Sequence, residues 1–403
     1  MKFYCLIVIY LFILCCHCQN SNELLTKDIV KAENTTIATT ATTNTTNSLS
    51  ANITTTITSP TPVASSCVCS DESLCKISRL NENTKPYLFW IINTEINQLK
   101  KTLSKDINIL SIHKDYLTKE AVCYAKSLGI KVLVWFPVSG ATRDYVVTEE
   151  GRASFLRIGM EKVNKFNLNG IDIDIETDLD SPYYEYLLEK FRELLPVAKG
   201  YTVLTDLPTN YNFVYDVKRK DRILNAVDYV AMMNYDQSYG LPYLGANSNH
   251  SQTLIGQETF LKAGFPANRL ITGLPLYAYY GKCVTKDLYV EQCVLSRPRL
   301  NTAYSLAYIN SIVSNNRTDV KLTSGLLWDQ VSLAPYINYM VTTNLGYDIY
   351  QTRYDNALSL RLKIQNSKAK GGVAFFRLDN LYGMPEARIN EIFEATNPNN
   401  LPK

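Results

Sequence analysis

Histidine is nearly absent from this chain. Of 403 residues only three are histidine, His17, His113 and His250, and none lies in a motif suited to catalysis or metal binding. A Ser/His/Asp triad, a Cys/His pair and a His-rich zinc centre are therefore disfavoured. Excess charge of one sign is also missing. The 41 Lys and Arg against 38 Asp and Glu leave +3, without the basic face that neutralises a row of phosphates, so nucleic acid is not an expected partner. Long apolar runs are confined to one place, Phe3 to Cys16, and no later stretch is apolar enough to span a bilayer. What the chain does have is an ample supply of carboxylates and 28 tyrosines.

Lys2, the run FYCLIVIYLFILCC and the polar HCQNSNE that follows have the order of a signal peptide, residues 1–18, with cleavage expected near Cys18 or Gln19. The run is shorter than the roughly 20 residues of a spanning helix, so no stable membrane anchor is expected. The leader directs the chain into the secretory pathway. From Asn34 to Ser66 there is no charge and no aromatic residue, while Thr occurs thirteen times. Such a segment buries too little to offset the entropy of ordering it, so residues 19–66 read as a linker. Asn34, Asn44 and Asn52 begin N-x-Ser/Thr acceptors within it, and Asn249 and Asn316 begin two more in the globular part, residues 67–403.

Four of the ten cysteines, Cys5, Cys15, Cys16 and Cys18, fall in or beside the leader. The other six are even in number and bound for an oxidising compartment, which implies disulfides. Cys283 with Cys293 is the expected short loop; Cys67, Cys69, Cys75 and Cys123 allow three arrangements.

After Thr84 short apolar runs alternate with helical periodicity, as in beta/alpha units around a buried parallel sheet. Eight strands are expected: Tyr87 to Ile92, Ile107 to Ile112, Lys131 to Phe136, Gly170 to Glu176, Thr202 to Leu207, Asp228 to Asn234, Leu270 to Leu276 and Gly372 to Leu378. One legible helix is capped by Ser181 and opened by Pro182, with Tyr184, Leu187, Leu188, Phe191, Leu194 and Leu195 at helical spacing. Eight such units predict an α/β fold, a (β/α)8 TIM barrel. The connection between strands seven and eight is too long for one unit, so most of Tyr277 to Tyr350 is expected to be an insertion on the C-terminal face, forming a wall of the cleft.

The fourth strand carries the chemistry. In Asn169-Gly-Ile-Asp-Ile-Asp-Ile-Glu176, alternation puts Asp172, Asp174 and Glu176 on one face and Ile171, Ile173 and Ile175 on the other. The isoleucines suit the helix layer, which directs the acids into the barrel with Glu176 nearest the mouth. Isolated buried carboxylates are too costly to be there for stability alone. Two readings remain: a divalent metal site, or a proton-transfer column in which crowding raises pKa values and keeps Glu176 protonated as an acid. An acid at the mouth of a tyrosine-rich cleft suits glycoside hydrolysis.

These residues also carry a resemblance. GIDIDIE resembles the D-G-x-D-x-D-x-E signature of glycoside hydrolase family 18, the chitinase family, with Asn169 replacing its first Asp. Met233-Asn234-Tyr235-Asp236 is similar to that family's M-x-Y-D, and Gly273-Leu-Pro-Leu-Tyr277 to its G-x-P-x-Y. Within the family, the Cys67-x-Cys69-x5-Cys75 start, WDQVSLAPYINY (Trp328 to Tyr339) and YDNALSLRLK (Tyr354 to Lys363) resemble the di-N-acetylchitobiase branch.

The resemblance implies substrate-assisted hydrolysis of N-acetylglucosamine oligosaccharides with no cofactor or metal. By it, Glu176 is the acid, Asp174 holds the acetamido N–H, Tyr235 holds the acetamido oxygen and Asp172 biases Asp174. Asp236, Met233 and Tyr277 are implied substrate neighbours, and Trp328, Tyr354 and Asp355 are candidate cleft contacts. Phe376 stands where many members have a Trp beneath the reacting sugar, Phe375 being the alternative by a one-residue slip. It implies a substrate such as di-N-acetylchitobiose and a lysosomal or extracellular location; the competing readings are a chitinase acting on polymer and a non-hydrolytic chitin-binding lectin.

Overall fold

The computed structural model describes residues 66–209, 216–297, 302–314 and 317–401, with backbone alone for Val217 and Thr302. The chain divides into Met1–Thr61, which lies outside the described residues, and Pro62–Lys403, whose fold follows. The expected leader, nearly all of the Thr-rich segment, the acceptors Asn34, Asn44 and Asn52, and Asn316 also lie outside the described residues.

Eight parallel strands close into a barrel: β1 (Tyr87–Ile91), β2 (Ile109–His113), β3 (Lys131–Val138), β4 (Gly170–Ile175), β5 (Thr202–Pro208), β6 (Tyr229–Met233), β7 (Leu270–Pro275) and, after the insertion, β14 (Gly372–Phe376). β1 pairs with both β2 and β14, which closes the ring. All eight expected strands are present, most with ends moved by one or two residues.

Strand alternation sorts the side chains into two layers. Outward, Ile171, Ile173 and Ile175 join Phe89, Val134, Val203 and Phe375 in the layer between sheet and helices. Burying each isoleucine contributes roughly 1.5–3 kcal/mol, and this sets the direction of β4. Inward, Leu88, Trp90, Ile109, Leu133, Trp135, Leu204, Ala231, Ile271 and Ala374 fill the barrel. The helix Tyr183–Leu194 buries Tyr184, Leu187, Leu188 and Phe191 against the sheet; it starts one residue after the expected Pro182, and the Ser181 hydroxyl accepts from the Tyr183 N–H at 3.3 Å. Gly170 opens β4 at φ 153°, where an added Cβ would lie 1.7 Å from the Thr202 carbonyl oxygen. Only glycine lets β4 meet β5 so closely there.

The insertion begins directly after β7. Strands β8 (Tyr277–Lys282), β9 (Thr302–Ser305), β10 (Val320–Leu322), β11 (Leu327–Asp329), β12 (Ala334–Thr343) and β13 (Gly346–Arg353) form a separate antiparallel sheet. It runs three residues past the expected Tyr350, because β13 stays paired with β8 through Arg353. Leu306, Ile309 and Ile312 of its helix Leu306–Val313 join the barrel's outer apolar layer. Among the described residues no helix is long and apolar enough to cross a membrane.

Among the described residues three disulfides are formed. Cys283–Cys293 closes the expected loop of the insertion, Cys67 pairs with Cys75, and Cys69 pairs with Cys123. The last tethers the segment before β1 to the helix Lys119–Ser127. Its partners are 54 residues apart, against 8 for Cys67–Cys75. Chain-entropy arithmetic gives about 4 and about 2.5 kcal/mol respectively. Replacing Cys69 and Cys123 by Ser should therefore lower the urea-unfolding free energy by more than the same change at Cys67 and Cys75; equal losses would show that loop closure does not control the effect.

Candidate active site

The inward face of β4 ends at the C-terminal mouth. Asp172 is 0% and Asp174 4% exposed, while Glu176 opens to the cleft. The Glu176 N–H donates to the Val138 carbonyl at 2.8 Å, so strand pairing and alternation persist to this residue. Oδ2 of Asp172 accepts from Trp90 Nε1 at 2.8 Å and Ser111 Oγ at 2.7 Å, and Oδ2 of Asp174 accepts from Trp135 Nε1 at 3.0 Å. β5 adds a fourth acid, Asp206, which is 2% exposed and in hydrogen-bond contact with Asp172.

Burial dominates the electrostatics. It pushes Asp172 up to about 6, with the Ser111, Trp90 and Asp206 hydrogen bonds opposing it. Asp174 is held well above the carboxylate range by burial and then by the charges of Glu176 and Asp172. Asp206 is raised in the same way by burial and by Asp172 and Asp174. Glu176 is raised by burial and by Asp236. Crowded acids in a dry space keep protons, as the column reading requires. Tryptophan and serine donors serve Oδ2 of Asp172 and a tryptophan donor serves Oδ2 of Asp174.

The rim comes from β6 and β7. Met233 ends β6 half-buried, and Tyr235 follows it beside the column. Gly273 of β7 makes room, since a Cβ there would lie 2.6 Å from the Met232 carbonyl and 3.6 Å from the Tyr235 ring. Asp236 sits at φ 58°, a left-handed conformation that Asp tolerates better than most residues. Its N–H donates to Asn247 Oδ1 at 2.7 Å. Its Oδ1 accepts from the Tyr279 hydroxyl at 2.5 Å and from the Tyr277 hydroxyl. Burial and the neighbouring Asp236 push both phenols upward, so they remain donors.

Phe376 faces into the barrel beside Trp135 and Tyr235. It stacks on Tyr235, with centroids 5.5 Å apart and planes 23° apart, and meets the edge of Trp135 at 5.5 Å. Phe375 points the other way and stacks on Phe89 in the outer layer.

Two expected contacts are corrected. Tyr354, 6% exposed, packs in the apolar layer between barrel and helices and offers no surface to a sugar. Asp355, 3% exposed, binds Lys363 Nζ at 2.5 Å and Ser359 Oγ at 2.8 Å. It is an internal ion pair, placed there because the chain turns at once into the helix Ala357–Asn366. Trp328 lies on β11, which pairs with β12, and no hydrogen bond or ring contact among the described residues joins it to the acids. Asn249 caps the helix His250–Lys262 through Oδ1 while its Nδ2 contacts Ser332 Oγ at 3.3 Å. Sequence reasoning missed Asp206, Trp90, Trp135, Ser111 and Tyr279; the alternation within TVLTDL and YLFWII already placed Asp206 and Trp90 inward.

Comparison with known proteins bears on this geometry. A family model described as Glycosyl hydrolases family 18 matches residues 87–380. The di-N-acetylchitobiase of Rattus norvegicus is 28% identical over 324 residues, 74% of this chain and 82% of its own length. The Homo sapiens di-N-acetylchitobiase is 26% identical over 331 residues, 76% and 80% of the two chains. Among solved structures, the GH18 chitinase from Cycas revoluta in complex with (GlcNAc)3 covers 75% of this chain and 98% of its own, at 15% identity and TM-score 0.59, a likeness of fold.

The raised acids also set a stability signature. A carboxyl whose folded pKa exceeds its unfolded value contributes stability that is fully present below the unfolded value, near 4, and is lost as pH rises through the folded one. With Asp172 at about 6 and Asp174, Asp206 and Glu176 shifted in the same direction, unfolding free energy should decline from about pH 4 through pH 6. The slope should flatten in Asp174→Asn. Urea titrations across that range check it; a rising slope unaffected by the substitution would contradict the assignment.

Proposed function

The chain belongs to the glycosyl hydrolases of family 18, and on that premise we propose that it cleaves the β-1,4 bond of di-N-acetylchitobiose, in chitooligosaccharides and the chitobiose core of N-linked glycans, releasing N-acetylglucosamine. It is a chitinase-like glycosidase. The observation that carries the reading is the inward row Asp172, Asp174 and Glu176, beside Tyr235 and above Phe376. The chitobiase relatives, matched over four-fifths of their length, support the finer substrate. Three disulfides support a secretory route to an oxidising compartment, lysosomal or extracellular.

Neutral Glu176 donates its proton to the glycosidic oxygen, and the C1–O bond breaks with its electron pair passing to that oxygen. The substrate's 2-acetamido oxygen bonds to C1 from the opposite face, giving an oxazolinium ion. Asp174 gives its proton to the neighbouring Asp172 as positive charge develops and, now a carboxylate, accepts the acetamido N–H and balances the oxazolinium, while Tyr235 donates to the acetamido oxygen, holding it at reacting distance. Glu176, now a carboxylate, takes a proton from water as the water oxygen bonds to C1 and the acetamido oxygen leaves. Two displacements on one carbon retain its configuration. Asp172 disfavours a charge on Asp174 until the oxazolinium forms. Phe376 supplies an apolar face beneath the sugar, with less area than a Trp and no indole donor.

Incubating the protein and Glu176→Gln with di-N-acetylchitobiose and reducing-end-tagged chitooligosaccharides, with products followed by NMR, tests the proposal. Wild type should release N-acetylglucosamine with retained anomeric configuration, and Glu176→Gln should lose at least about a hundredfold in rate, the lower end of the range for a general acid. Binding without cleavage would favour a lectin, internal cleavage of long chains a polymer-acting chitinase, and an inverted product would overturn the acetamido mechanism.

A further inference from the structure

Asp206 is a buried carboxyl for which the mechanism above has no use. It extends from β5 into the barrel, where β5 pairs with β4 on one side and β6 on the other. From β4 it faces Asp172, Asp174 and Glu176; from the turn after β6 it faces Tyr235; and from the helix Tyr183–Leu194 it faces Tyr184. Oδ1 of Asp206 and Oδ1 of Asp172 are both buried and, among the described residues, receive no N–H or hydroxyl donor. Two buried carboxyls carried by paired strands within so dry a space favour one shared proton.

The surroundings of the two acids are unequal. Asp172 already has two donors on Oδ2, Trp90 and Ser111, which favour its charged form. Among the described residues no comparable donor serves Oδ1 of Asp206. The proton therefore belongs on Asp206 and the negative charge on Asp172.

We infer that Asp206 is a positioning residue, held as a neutral carboxylic acid whose O–H donates to Asp172 on the side that Trp90 and Ser111 do not serve. With three donors around it, Asp172 does not depend on a proton from Asp174. Asp174 is then free to turn its open oxygen toward the substrate's acetamido N–H. The catalytic consequence rests on the proposed function; the protonation of Asp206 does not.

Two variants separate the roles of Asp206. Asp206→Asn keeps a donor of the same shape without titrating, and Asp206→Leu removes the donor while keeping bulk. Asp206→Asn should keep kcat on di-N-acetylchitobiose close to wild type. Asp206→Leu, folded by circular dichroism, should lose about tenfold or more in kcat with little change in KM, as expected when a reacting group is misplaced. Its acidic limb should move to higher pH, because Asp172 loses a bond that favours its charged form. Infrared difference spectra of the substrate-free protein at neutral pH supply a readout independent of activity. The carbonyl band of a buried neutral acid should weaken in Asp206→Asn relative to wild type.

An unchanged band in Asp206→Asn would overturn the inference, because Asp206 would then be ionised. A folded Asp206→Asn as impaired as Asp206→Leu would also overturn it, by showing that Asp206 acts as an anion. A wild-type profile for Asp206→Leu would reduce the residue to space-filling. If wild type hydrolyses none of the sugars, the functional reading fails, and the infrared comparison still decides whether Asp206 is neutral.

Discussion

Four carboxyl groups in a space closed by indole rings cannot all be ionised, and the rest of the site follows from that constraint. Each of Asp172, Asp174, Asp206 and Glu176 is shifted upward, with burial as the leading cause. The site relieves the cost with directed donors. Trp90, Ser111 and Trp135 each serve one carboxylate oxygen. A lysine or arginine in their place would draw the protons out; the indoles leave them in the column, where Glu176 can act as an acid at the mouth.

The outer shell keeps this arrangement rigid and half-open. Outward isoleucines fix the direction of β4, so the acids cannot turn toward the helices without losing the packing of Ile171, Ile173 and Ile175. At the rim, Asp236 is held by the two tyrosines at the start of the insertion, Tyr277 and Tyr279, which links the position of the inserted sheet to the group whose charge raises Glu176. Through these two tyrosines the insertion reaches the electrostatics of the site. The buried Lys363–Asp355 pair lies outside this circuit, beneath the sheet's return to the barrel.

The barrel and the direction of the acids were legible because both rest on strand alternation, a period-2 signal that GIDIDI carries without ambiguity. The cleft wall was legible only as a length excess; its sheet is built from cross-strand pairings that no local pattern specifies. Tyr354 and Asp355 look like cleft residues in sequence because they are aromatic and acidic. Their burial depends on where β13 ends and the helix Ala357–Asn366 begins, which is tertiary information. Asp206 was readable by alternation, but a lone Asp in TVLTDL carries no chemical signal until β4 and β5 are known to be neighbours. The Cys69–Cys123 pairing likewise needed the helix Lys119–Ser127 to be placed beside the first disulfide loop.

The most direct test of the central claim is a carbon-13 NMR titration of the protein labelled at the aspartate side-chain carboxyls, with Asp172→Asn, Asp174→Asn and Asp206→Asn to assign the signals. Proton storage in the column predicts an inflection for Asp172 near 6, with those of Asp174 and Asp206 displaced upward from the ordinary carboxylate value. Inflections of all three near the ordinary value of about 4 would contradict it.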